Sequence, residues 1–243
     1  MRRLSSVILS LLSASGSSAK TPAFFLAGDS TTAVDGGWGD GFLANLIAPS
    51  WGVNVAKSGA TTASFEAGGF WDKITTLVAD NADEFDCYVT ISFGHNDQKP
   101  ENNVPFDVYQ ANLIRFASVV EDLGGRPLLV SSLTRRNFAS DHNATDSLSN
   151  ERRAAQVAAE KTGSAFINLN RASLDYVNAI GEQAAHTYNG PDSPTDNTHL
   201  NLWGETVFGR MVTDLVTRAV PELEPVFLKN KTMSDLIWSG QAA

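Results

Sequence analysis

Four short polar segments carry residue types that, brought together, perform acyl transfer. Gly28-Asp29-Ser30-Thr31-Thr32 holds a serine that can sit at the tip of a sharp turn with its hydroxyl exposed, Gly28 supplying backbone freedom and Asp29 bridging local amides. Lys57-Ser58-Gly59-Ala60-Thr61-Thr62 offers a glycine whose backbone N–H can approach a ligand oxygen closely. Phe93-Gly94-His95-Asn96-Asp97 offers the Asn96 amide, a donor suited to a developing oxyanion. Asp192-Ser193-Pro194-Thr195-Asp196-Asn197-Thr198-His199 places an acid three residues before a histidine. At that spacing the carboxylate reaches Nδ1–H and leaves Nε2 free to accept a proton.

Taken singly, each segment reads equally as ordinary structure: a Gly-Asp-Ser turn, a turn glycine, an Asx-turn at Asn96, a helix-entry loop capped by Asn201. Their order along the chain changes the weighing. Ser30 as nucleophile, His199 as base and Asp196 as its orienting acid make a complete set, with oxyanion donors from the N–H groups of Ser30 and Gly59 and the side chain of Asn96. His95 is read as a supporting or packing residue. His142 and His186 have no nameable partner and are read as exposed loop histidines.

These segments need a scaffold that brings loop ends together. Short apolar, β-branched or aromatic runs at 23–27, 53–56, 87–92, 127–131 and 165–169 predict strands. Between them Tyr109, Leu113, Phe116, Val120 and Leu123 recur at steps of four and three after Pro105, and Phe208, Met211, Val212, Leu215 and Val216 repeat the stripe, predicting helices. Such alternation implies a parallel sheet covered on both faces, with the site at the strand C-termini. The expectation is one three-layer α/β/α domain over residues 20–243 with no internal repeat.

Composition narrows the class. The 243 residues include 18 Lys+Arg against 27 Asp+Glu, a net charge of −9, and 42% hydrophobic residues. That balance argues against nucleic acid as a partner. One cysteine excludes an internal disulfide and a cysteine-based zinc cage, and Cys87 falls mid-strand as packing. At the start, Arg2 and Arg3, the apolar run from Val7 to Leu12 and the small residues Ser17-Ser18-Ala19 read as a secretory signal over residues 1–19. Cleavage after Ala19 leaves 16 basic against 27 acidic side chains, a balance of −11. Asn143-Ala144-Thr145 and Asn230-Lys231-Thr232 are acceptor sequons for a secreted chain, making Asn143 and Asn230 glycosylation candidates. The expected protein is extracellular and monomeric, with no membrane span.

In these blocks the chain resembles the SGNH, or GDSL-type, hydrolases, from about Ala23 to the final helix near Val220. Ser30, Gly59, Asn96 and the Asp196–His199 pair match that family's blocks in order. It looks most like the rhamnogalacturonan acetylesterase branch, through Gly37-Trp38-Gly39, Ser64-Phe65, Leu133-Thr134-Arg135-Arg136 and Asp196-Asn197-Thr198-His199-Leu200-Asn201. The resemblance implies a flavodoxin-like fold with a five-stranded parallel sheet, no metal or other cofactor, and removal of acetyl groups from plant cell-wall polysaccharide. Two departures stand out: Gly59 is followed by Ala60-Thr61 where the branch usually has Arg-Ser, and the cysteine pairs of fungal members are missing.

Trp38 and Trp71 are candidates to stack on sugar faces, and Arg135 and Arg136 to meet substrate carboxylates, although core packing and a solvated pair are the plainer alternatives. Competing functions are an acetylesterase of a neutral polysaccharide such as xylan, an esterase of lipids or small esters, and a carbohydrate-binding descendant without catalysis. A flavodoxin-type nucleotide binder shares the architecture, but no phosphate-cradling glycine loop is visible.

Overall fold

Strand and helix alternate along the chain, which a computed structural model describes over residues 20–191 and 195–243. The first half runs β1 (Thr21–Gly28), α1 (Gly39–Leu43), β2 (Trp51–Asn54), α2 (Thr62–Ala67), α3 (Phe70–Asn81), β3 (Phe85–Ser92) and α4 (Phe106–Asp122). The second half runs β4 (Arg126–Val130), β5 (Phe138–Ser140), β6 (Asn143–Ala144), α5 (Ser149–Thr162), β7 (Ala165–Ile167), α6 (Leu169–Ile180), α7 (Glu182–His186), α8 (Leu202–Ala219) and α9 (Lys231–Trp238). Five strands form one parallel sheet in the order β2-β1-β3-β4-β7, while β5 and β6 form a small antiparallel ribbon. This is the expected α/β sheet with helices on both faces. The leader expected at residues 1–19 and the stretch 192–194 of the fourth polar segment lie outside the described residues.

Alternation along β1 divides the core in two. Phe24 and Leu26 face a layer with Trp38, Phe42, Phe208 and Met211, contributed largely by α1 and α8. Ala23, Phe25 and Ala27 face Trp71, Ile74, Leu113, Phe116 and Ala155, from α3, α4 and α5. A strand buried on both faces must be apolar at every position, which is why 23–27 shows no alternation in sequence. Each such Phe or Leu contributes about 1.5–3 kcal/mol through burial. Cys87 is a free thiol buried mid-strand, and burial pushes its pKa up.

Because β1 has β2 on one side and β3 on the other, the strand order reverses there, and a crevice opens beyond the C-terminal ends of β1, β2 and β3. Three of the four polar segments leave these ends. Boundaries moved slightly from expectation. The strand expected at 53–56 begins at Trp51, and the one expected at 165–169 stops at Ile167, where Asn168 caps α6 by accepting from the Arg171 N–H at 3.3 Å.

Candidate active site

The turn after β1 is built around Asp29. Its Oδ1 accepts from the Thr31 N–H at 2.9 Å and the Thr31 hydroxyl at 2.8 Å, while its carbonyl accepts from Thr32 and Ala33. Ser30 is left at the tip. Gly28 matters for space rather than for the backbone freedom expected of it: a Cβ there would meet Thr32 Oγ1 at 2.6 Å and the Ser92 carbonyl at 2.9 Å.

The second segment turns at Gly59, whose φ of +78° is costly for any L side chain. Nothing lies within 4 Å of a Cβ placed there, so conformation alone selects glycine. Among the described residues neither the Ser30 nor the Gly59 N–H is spent on another backbone carbonyl. Asn96, after β3, is 5% exposed and donates through Nδ2 to the Ala60 carbonyl at 3.0 Å. This bond ties the Asn96 side chain to the Gly59 turn and leaves the second Nδ2 hydrogen unused.

The loop before α8 closes the site. Nδ1 of His199 lies 2.8 Å from Asp196 Oδ2, and Nε2 lies 2.9 Å from Ser30 Oγ. Asp196 Oδ1 accepts from the N–H groups of Thr198 and His199, each at 3.0 Å. Partial burial works to raise the Asp196 pKa, but these donors outweigh it and hold the carboxyl below its usual range. An ionised Asp196 fixes the proton on Nδ1 and turns the lone pair of Nε2 to the serine hydroxyl. Helix capping and the Asp–His contact, alternatives in sequence, coexist: Asn201 Oδ1 accepts from the Gly204 N–H at 2.9 Å. A cavity of about 510 Å³ opens beside His199, walled by Ser58, Pro191, Leu202, Asp35, Asp196 and Glu205 among others.

Four expectations for substrate contact fare differently. Trp38 is fully buried among Phe42 and its neighbours, and Trp71 lies stacked on Phe116 with ring centroids 3.9 Å apart. Neither ring is available to stack on a sugar; the sheet's two cores claim them. Arg136 is also fully buried. Its Nε donates to Asn189 Oδ1 at 2.6 Å, its Nη2 to the His199 carbonyl at 2.5 Å, and its own N–H to the Asn197 carbonyl at 2.8 Å. It braces the His199 loop, and burial lowers its pKa to about 10. Arg135 is half-buried, with donors to Ser147 Oγ at 3.1 Å and the His95 carbonyl at 3.3 Å.

His95 is buried, its Nδ1 lying 3.7 Å from Asp29 Oδ2, and burial pushes its pKa down. A neutral imidazole thus backs the Ser30 turn, in the supporting place expected. The other two histidines do have partners, unlike the sequence expectation: Nδ1 of His142 lies 2.7 Å from the Asn178 carbonyl, and Nε2 of half-buried His186 lies 2.9 Å from the Arg136 carbonyl. Asn143 and Asn230 are both exposed.

Sequence reasoning missed Asp97. Its Oδ1 accepts from the Thr62 N–H at 2.8 Å and the Thr62 hydroxyl at 2.6 Å, joining the Asn96 loop to α2. Burial raises its pKa to about 6. An acid following Asn96, the candidate oxyanion donor, was the available signal, since a carboxylate there can bind the start of a facing helix.

A serine hydroxyl, a base oriented by an acid and uncommitted N–H donors can together carry acyl transfer. Comparison with known proteins agrees. The family model described as GDSL-like lipase/acylhydrolase matches residues 24–209. The chain is 31% identical over 207 residues to the rhamnogalacturonan acetylesterase RhgT of Bacillus subtilis strain 168, covering 78% of this chain and 87% of that protein. In fold it is similar to the B. subtilis protein YxiM, with TM-score 0.68 at 19% identity over 82% of this chain, and spans 57% of that chain. It is also similar to a catalytic mutant of Axe2, an acetylxylan esterase of Geobacillus stearothermophilus, with TM-score 0.59 at 16% identity over 83% of this chain and 94% of that one. The chain therefore belongs to the GDSL-like lipase/acylhydrolase family and is a carboxylic ester hydrolase.

Proposed function

We propose that the chain is a secreted acetylesterase that removes acetyl groups from plant cell-wall polysaccharide of the rhamnogalacturonan type. The observation that carries the chemistry is the unbroken relay Asp196–His199–Ser30, with links of 2.8 and 2.9 Å. His199 takes the Ser30 proton as Oγ attacks the acetyl carbonyl. The developing oxyanion meets the N–H groups of Ser30 and Gly59 and the Asn96 amide. His199 then gives its proton to the departing sugar oxygen, and water repeats the sequence on the acetyl-enzyme. Asp196 stabilises the imidazolium without taking its proton.

The relative RhgT supports the polysaccharide assignment, and the leader read at residues 1–19 supports export. A second reading, a neutral polysaccharide such as xylan, is favoured by the cavity beside His199. Asp35, Asp196 and Glu205 line it, and none of its described lining residues is Lys or Arg. Acetate release from acetylated rhamnogalacturonan, homogalacturonan, xylan and mannan decides between them, and the fastest substrate at matched acetyl concentration names the class. Ser30→Ala should lose about five to six orders of magnitude in kcat. Retention of most activity by that variant would end the mechanism.

A further inference from the structure

The turn that follows Asn96 returns a cation to it. Lys99 Nζ donates to Asn96 Oδ1 at 2.9 Å, the Lys99 N–H donates to the Asn96 carbonyl at 3.1 Å, and Asn102 Nδ2 donates to that same carbonyl at 2.9 Å. The Asn96 amide is thus held at both ends, by Lys99 on its oxygen and by the Ala60 carbonyl on its nitrogen. Among the described residues no carboxylate lies within ion-pair distance of Lys99, so its charge is not spent elsewhere.

We infer that Lys99 is a positioning residue for ester hydrolysis: its ammonium fixes the orientation of the Asn96 amide and strengthens the Nδ2–H that meets the oxyanion. Three physical steps lead there. An ammonium accepts no hydrogen bond, so it selects Oδ1 over Nδ2 and settles which way the amide faces. A charged donor on the amide oxygen draws electron density from the nitrogen, and charge-assisted bonds are about twice as strong as neutral ones. The positive charge also has the sign that a developing oxyanion favours. The inference rests on the proposed oxyanion role of Asn96, and its test separates the two.

The probe is 4-nitrophenyl acetate, a neutral ester without sugar or carboxylate, so loss on it cannot come from substrate recognition by Lys99. Removing an oxyanion donor costs about 10²–10³ in turnover, and Lys99→Met, which weakens a donor without removing it, should cost roughly 5–20-fold in kcat with KM within about twofold. Lys99→Arg keeps a charged donor and should restore kcat to within about threefold of wild type. In an Asn96→Ala background, Lys99→Met should cost at most about twofold further, because the route through the amide is gone and only the through-space effect of the charge remains.

Unchanged kcat for Lys99→Met, or an equal loss in both backgrounds, would overturn the assignment. A Lys99→Met loss confined to acetylated polysaccharide would overturn it too, placing Lys99 in substrate binding instead. Wild-type activity in Asn96→Ala alone would remove the oxyanion role itself, and this inference with it.

Discussion

Arg136→Met is the sharpest perturbation of the site, because sequence and structure give that arginine opposite jobs. If Arg136 met substrate carboxylates, its loss would weaken polysaccharide binding and spare small esters. In the structure it is fully buried and donates to Asn189 Oδ1 and the His199 carbonyl. Methionine leaves both acceptors unpaired, the Asn189 oxygen buried and the His199 carbonyl partly so, at about 1–3 kcal/mol each. Against that stands relief from burying a guanidinium whose pKa burial has lowered to about 10. That shift corresponds to roughly 3 kcal/mol. The two contributions, about 2–6 kcal/mol lost and roughly 3 regained, largely offset. The net expectation lies between about 1 kcal/mol of stabilisation and about 3 of destabilisation, which for a chain of this size holds Tm within roughly 4 °C above and roughly 12 °C below wild type. The catalytic effect should be larger. The His199 carbonyl loses its anchor, and a misplacement of about 1 Å can cost roughly 10²-fold, so kcat on 4-nitrophenyl acetate should fall about 10–100-fold with KM within about twofold. Steady-state kinetics on that ester and a thermal melt are the assays. Wild-type kcat on that ester together with a raised KM for acetylated pectin would refute the brace.

Asp97→Asn should remove a pH-dependent penalty on stability. The Asp97 pKa is 3.8 unfolded and about 6 folded, so between those values the unfolded chain has released a proton that the folded chain still holds, and stability falls as pH rises. The loss is complete above about pH 6 and amounts to roughly 3 kcal/mol. Asparagine keeps an acceptor for both Thr62 donors, so denaturant melts should show the variant gaining on wild type from pH 4 to 7; parallel curves would refute the shift. Gly59→Ala should cost about 1–2 kcal/mol of backbone strain at φ +78° and lower kcat as the amide turns away to relieve it. Gly59→Asn, which tolerates that conformation better, should keep more activity, and equal kcat for all three proteins would remove Gly59 from the oxyanion site.

The relay was legible because each of its parts follows a strand or precedes a helix that hydrophobic pattern reveals. Ser30 and His199 are 169 positions apart, yet strand–helix alternation alone predicts that their loops share one end of a sheet. Side chains in loops were not legible in the same way. Arg135 and Arg136 are neighbours, and one is half exposed while the other is fully buried. No periodicity applies there, and the difference is set by Asn189 and the His199 carbonyl, 53 and 63 positions away. Trp38 and Trp71 failed as sugar platforms for a related reason. Their burial depends on α8 and on α4, elements whose packing partners a local reading does not supply. Gly28 and Gly59 look alike in sequence, but one is a glycine for want of space and the other for its φ.

Charge ties the site to its substrate. Composition first argued against nucleic acid; the same negative balance bears on which polysaccharide can approach. The two arginines that could have greeted a uronate are committed, Arg136 to the His199 loop and Arg135 to Ser147 and the His95 carbonyl. Lys99 is committed to Asn96. What faces the cavity beside His199 is Asp35, Asp196 and Glu205. A sugar seated against that wall is best neutral, since a second carboxylate would meet like charge across a partly desolvated gap. A galacturonate-containing chain can still be deacetylated if its neutral units occupy the His199 side and its carboxylates point away from that wall. For the proposed substrates, the acidic wall therefore restricts how a pectin chain would lie in the crevice, and it would place no such restriction on a neutral xylan.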